Sequence, residues 1–210
     1  MSEITRRVQN CPEVVIKREL VAAAQEFCAS TGVVQRTMLL DVASLVPDYA
    51  LTPLAGLQLC EVLYVSYGAT KLRAVAVDSV ASPVALRGAV DTAEPQVGTP
   101  SYFYQTSPYD LTLHLWPHPE NSLVAGLFVK ASYMPTNTAT ELPDELLTYH
   151  LSDIANGTIA RLKTIPEQPF TDLAGASGYA AAFQAAKVRE RREARVGKVR
   201  TAQRVNPRFF

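Results

Sequence analysis

The chain has 210 residues, room for one large domain or two small ones, and its 48% hydrophobic and 19% charged residues exclude wholesale disorder. The net charge of zero hides an asymmetry: from Lys187 onward nine basic residues meet only Glu190 and Glu193, a net +7, which leaves −7 on the first 186 residues. The opening MSEITRRVQN has no apolar stretch behind it, and no apolar run approaches the roughly 18–20 residues of a membrane span, so neither a secretory signal nor a spanning helix is expected.

The first predicted element is a helix over 12–30. Asn10 or Cys11 can cap it, Pro12 suits the first helical position, and Glu13 favours the positive end of the helix dipole. Ile16, Leu20, Ala23, Ala24, Phe27 and Cys28 recur at helical spacing, and Gly32 ends the run. From 33 to 135 the pattern turns β-rich, with strands predicted at 33–45, 58–66, 101–105, 110–116 and 122–134. In LTLHLW, Leu111, Leu113 and Leu115 alternate with Thr112, His114 and Trp116, and the segment PHPENS after it predicts a hairpin with LVAGLFVKASYM. No helices alternate with these strands, which points to an antiparallel sheet or small sandwich.

Helix returns at Pro143 and is predicted to run to Lys163, with Leu147, Leu151, Ile154, Ala155, Thr158 and Leu162 facing the core. Gly157 inside it costs about 1 kcal/mol relative to Ala, a cost that close approach by another backbone, at Ala176 and Ala180, would offset. The next helix is predicted over 172–195 with Thr171 as its cap; Ala176, Tyr179, Ala180, Phe183 and Ala186 form its packing face. Beyond Lys187 it is polar on nearly every side, and Gly197 opens a tail, TAQRVNPRFF, in which Asn206-Pro207 disfavours helix. The fold class expected is α+β: a helical bundle from the N-terminal and two C-terminal helices, an inserted antiparallel β-rich region, and an extended arm. One domain over 1–196 (helical 12–30 and 143–196, β-rich 33–135) would precede the arm at 197–210.

The sequence offers no catalytic constellation. His114 and His118 are four apart, yet Pro117 stands between them at a strand end, without an adjoining cluster of cysteines or carboxylates, so zinc is disfavoured. His150 with Ser152 or Asp153 imitates part of a triad, but all lie on one predicted helix and no GxSxG turn exists. Phosphate-cradling glycine loops are missing, and Asp41, Asp48 and Glu61 are scattered without EF-hand spacing. Cys11, Cys28 and Cys60 form no CxxC pair and read as reduced, mostly buried thiols. The reading is therefore non-enzymatic, with no cofactor and no metal. What carries functional content is the basic run from Lys187 to Arg208, read as an interaction arm. A nucleic-acid-binding accessory protein, or another assembly protein, acting through the same tail is the alternative.

Three stretches add a resemblance. LVAAAQEFCASTGVVQ carries Cys28 and Thr31 at a helix end and is followed by the Tyr49 segment. TPSYFYQTSPYDLTLHLWPHPENSLVAGLFVKASYMP looks like a strand–PxP–strand unit. ELPDELLTYHLSDIANGTIARLKTIPEQPFTD joins a Leu-Pro-Asp helix start to a mid-helix glycine and a following proline. Their order over residues 20–195 resembles the head-to-tail adaptor proteins of short-tailed bacteriophages, the tail tubular protein A type. The resemblance implies a virion protein at the head–tail junction, made in the host cytoplasm and assembled as a ring, commonly of twelve copies. Such a ring joins the portal protein to a tail nozzle or tail tube protein and continues the DNA channel, with non-specific contact to channel DNA. It also implies that the C-terminal arm engages the portal. Here the arm's candidates are Arg200, Arg204, Val205, Asn206, Pro207, Arg208, Phe209 and Phe210.

Overall fold

In the computed structural model of the protein, residues 2–75, 96–107 and 110–196 are described, with side chains from 3 to 194 within them. The chain is a mixed α+β protein whose main sheet is antiparallel. Its helices are α1 (Ser2–Arg7), α2 (Glu13–Thr31), α3 (Asp144–Tyr149), α4 (Leu151–Lys163) and α5 (Leu173–Val196). The strands are β1 (Gln35–Val42), β2 (Asp48–Ala50), β3 (Leu57–Tyr67), β4 (Thr70–Lys71), β5 (Arg73–Ala74), β6 (Val97–Gly98), β7 (Tyr102–Tyr104), β8 (Thr112–Trp116), β9 (His118–Pro119) and β10 (Leu123–Pro135). These fall into two compact units, Met1–Ala23 with Leu151–Phe210, and Ala24–His150.

The first unit is helical. Helix α2 begins where Pro12 places it, the Pro12 carbonyl accepting the N–H groups of Val15 and Ile16 at 3.0 and 3.1 Å. Helix α1 ahead of it was not foreseen, because SEITRR has too few apolar residues to show a period. Yet Ile4 and Val8 are buried in one cluster with Ile16, Ala155, Ile159, Leu162 and Phe170. Helix α5 buries Ala176, Phe183 and Ala186, as its spacing predicts. Two expectations are corrected here. The cap of α5 is Asp172, whose carboxylate accepts the Gly175 N–H at 2.8 Å and the Lys163 ammonium at 2.7 Å. Thr171 instead ties the preceding turn, donating to the Ile165 carbonyl at 2.5 Å and accepting the Gln168 N–H at 3.0 Å. Gly157 faces the Phe183 ring, not the backbone at Ala176 or Ala180: three ring carbons lie 2.8–2.9 Å from where a Cβ would sit.

The second unit takes over at Ala24, where Ala24, Phe27 and Cys28 continue the buried face of α2. Gly32, at φ +65°, ends the helix in the left-handed conformation that glycine adopts without steric cost, its N–H bonded to the Cys28 carbonyl at 2.8 Å. The main sheet has the order β1-β10-β3-β4. Its long central strand β10 pairs antiparallel with β1 and β3, and two bulges in β3 leave Leu63 and Cys60 without a partner residue. A second sheet, β2-β8-β7-β5, is antiparallel except for β5 beside β7, and β6 pairs parallel with β9. Leu113, Leu115, Leu127 and Val129 are all buried.

The hairpin predicted at PHPENS does not form, since β8 and β10 belong to different sheets. Pro117 and Pro119 cannot donate ladder hydrogen bonds, and the groups between are taken elsewhere. The His118 N–H donates to Gln96, the Glu120 N–H to Gly98, and the Pro119 carbonyl accepts the Leu45 N–H at 2.8 Å. The segment thus carries the chain from one sheet to the other. The single helix predicted over 143–163 is also corrected. It breaks at His150, which leaves helical geometry at φ −127°, ψ 10°, its ring 5.1 Å from that of Phe27. The break resets the helical phase, so Leu146 is buried while Leu147 and Leu151 are 43% and 44% exposed.

Candidate functional site

The first candidate is the distal end of α5, the root of the predicted arm. After Ala186 no described residue of α5 is buried. Lys187 lies over the Phe183 ring with Nζ 4.9 Å from its centre. Arg189 reaches the Asp153 carboxylate on α4 at 2.9 Å and the Glu190 carboxylate at 2.8 Å. The hydrogen bond that Arg189 donates to Glu190, then the nearby negative charges against a small cost of burial, push the Arg189 guanidinium up from its already high value. Arg191 and Arg192 are exposed. Guanidinium groups so placed can take carboxylate or phosphate partners in bidentate geometry. The predicted portal-binding residues Arg200, Arg204, Val205, Asn206, Pro207, Arg208, Phe209 and Phe210 lie outside the described residues. No family model and no curated protein matches the chain.

The second candidate, which the sequence alone does not assemble, is centred on His114. Alternation along β8 puts Thr112, His114 and Trp116 on one face, and the register sets Asp48 of β2 opposite His114 on one side and Tyr104 of β7 on the other. His114 Nδ1 is 2.7 Å from Asp48 Oδ1, and its ring stacks on Tyr104 at 4.8 Å and 17°. Asp110 stands just ahead of β8, its Oδ2 3.9 Å from His114 Nε2. The Thr106 hydroxyl and the Thr112 N–H, the latter at 2.8 Å, both donate to the Asp110 carboxylate. These two hydrogen bonds, in that order, hold the Asp110 carboxyl below its usual value. Burial, then the nearby Asp48 charge, pushes the Tyr104 phenol up. Along the same face Trp116 lies opposite Tyr102, with the His118 ring edge-on at 5.7 Å.

His114 and His118 therefore serve different neighbours and do not converge. Nor do Asp48 and Asp110 gather with His114 around one point, since they flank the imidazole at its two nitrogens. The signal for half of this centre was in the sequence, as the TLHLW alternation. The other half, Asp48, lies 66 residues away and is joined only by strand pairing. The thiols are placed for packing: burial pushes Cys28 up to about 12 and Cys60 up to about 11, so neither is a nucleophile near neutrality.

Proposed function

We propose that the protein is a structural virion component, a ring-forming adaptor that joins the portal vertex of a phage head to the tail and continues the DNA channel. The observation that carries the reading is that charge divides with the compact units. Residues 24–150 hold twelve acidic and five basic side chains, a net −7, against eight and fifteen in the remainder, a net +7. Opposite charge on two parts of one chain favours head-to-tail contact between copies, the heterologous kind of interface that closes into rings. The exposed basic end of α5, leading toward residues 197–210, supports an arm that engages the portal. The order of the three resembling stretches supports the adaptor assignment, with the helices as a bundle and the β-rich region as its insert.

Native mass measurement of the full chain, alone and mixed with portal, tests this. The expected outcome is a discrete species near twelve times 22.9 kDa, formed alone or on the portal. A chain that stays monomeric with portal present, while binding DNA with a steep salt dependence, would replace the adaptor by an accessory nucleic-acid-binding role.

A further inference from the structure

The His114 centre contains a mismatch. An ionised carboxylate only accepts hydrogen bonds, so the 2.7 Å contact with Asp48 places the neutral imidazole's single proton on Nδ1. That leaves Nε2 a bare acceptor. It is buried and has no hydrogen-bond partner, and the polar atom facing it, Asp110 Oδ2 at 3.9 Å, is another acceptor. Two acceptors set against each other give no bond in the neutral state; the strand and the Tyr104 stack orient the ring, while Thr106 on Oδ2 and the Thr112 N–H on Oδ1 orient the carboxylate, whose Oδ2 lies about 1 Å beyond hydrogen-bond reach.

We propose that His114 is a proton-operated staple: uptake of a proton on Nε2 turns the ring into a double donor that ties Asp48 of β2 and Asp110 ahead of β8 to the centre of the second sheet. The proton comes from solvent and stays on the ring, so an imidazolium bonded to two carboxylates replaces a neutral ring bonded to one, as the Asp110 side chain closes the 3.9 Å gap to Nε2. Charge-assisted bonds of this kind are shorter and stronger than neutral ones, and the positive ring gains attraction to the face of Tyr104. The groups that face His114 are Asp48 from β2, Tyr104 from β7 and Asp110 from the turn ahead of β8. The Tyr49 phenol of β2 is turned away, toward the carbonyls of Ala43 and Val46. The hydrogen bonds from Thr106 and the Thr112 N–H hold the Asp110 carboxyl below its usual value, which favours its remaining an acceptor. The second sheet is thus tightened by mild acid.

The test is amide hydrogen exchange and histidine nitrogen NMR on the full chain between about pH 8 and pH 5, where histidine side chains change charge. In the unaltered protein, acidification should bring up a slowly exchanging Nε2–H signal and slow the amides of β8 on the order of threefold beyond their intrinsic pH dependence. Asp110→Asn should abolish most of the slowing, because its carboxamide can donate to the bare Nε2 at high pH and, turned over, accept from the protonated ring at low pH without a carboxylate's charge. Equal slowing in both proteins, or an Nε2 proton that exchanges freely at pH 5, overturns the staple. Should Asp110→Asn fail to fold, the unaltered protein still decides. The Asp110 carboxyl carbon must shift in the same titration step as the His114 ring, and independent steps reject the proposal.

Discussion

At the residue scale, Gly157 illustrates how a helix interior can require the smallest residue. The glycine is fully enclosed on α4, and Phe183 of α5, itself 4% exposed, occupies the space a side chain would need. Phe183 cannot retreat cheaply, because its ring is buried beneath Lys187. Gly157→Leu should lower the unfolding free energy by roughly 1–3 kcal/mol or more through overpacking. Gly157→Ala should cost less, since the better helix propensity of alanine returns about 1 kcal/mol. Chemical denaturation reads both, and pairing Gly157→Leu with Phe183→Ala should give a loss smaller than the sum of the two single losses. Strict additivity would mean that the ring and the glycine do not share one space. The sequence marked this glycine as a close-contact position but misassigned its neighbour. Small residues at Ala176 and Ala180 suggest backbone approach, whereas the actual contact depends on the rotation of α5, which spacing alone leaves open.

At the element scale, what was legible followed from local chemistry. Proline at a helix start, acidic first turns and 3.6-residue spacing located α2, α5 and the far end of α4 to within a residue or two, and alternation located β8. Pairing was not legible, because a run of β-branched residues says that a strand exists without saying which edge it meets. Hence the segment at Pro117–Ser122 was read as a turn within one sheet when it is a passage between two, and Asp48 was not joined to His114. The break at His150 escaped for a related reason: no glycine or proline marks it, and the Phe27 ring it packs on is distant in sequence. One tie between elements is testable by pH. Arg36 of β1 and Glu145 of α3 meet at 2.7 Å, and the hydrogen bond from Arg36, ahead of its charge, holds the Glu145 carboxyl below its usual value. A carboxyl with a lowered folded-state value binds fewer protons folded than unfolded, so its stabilisation is present above the ordinary glutamate range and lost as pH falls through the lowered one. Both side chains are about a third or more exposed, so the contribution is under about 1 kcal/mol. Thermal melts of the unaltered protein and Arg36→Met should therefore differ at pH 7 and converge as the pH falls below the ordinary glutamate range. A constant difference across that range would mean that Arg36 acts through packing of its aliphatic stem instead.

At the scale of the whole molecule, the proposed adaptor role would require residues 197–210 to hold a large assembly with few contacts, and magnitudes decide how. Burying Phe209 and Phe210 could supply roughly 1.5–3 kcal/mol each. That sum falls short of the roughly 8 kcal/mol of a micromolar complex. Arg200, Arg204 and Arg208 add charge contacts, but exposed pairs contribute little and weaken with salt. One arm is therefore a weak tether, and the adaptor reading works only if many arms act together: once one copy of a ring is docked, its neighbours bind at high effective concentration. Removing residues 205–210 should leave the melting temperature nearly unchanged, because every buried residue among those described is kept, while abolishing stable attachment to portal-bearing heads. Attachment of the full chain should also fall off abruptly, rather than gradually, when full-length and truncated copies are mixed in increasing ratio, since each truncated copy removes one tether from a shared ring. Sedimentation of portal-bearing heads with the mixtures measures this. If the truncated protein co-sediments as well as the full chain, attachment does not use the arm, and the exposed Arg191 and Arg192 on α5 become the contacts to replace next.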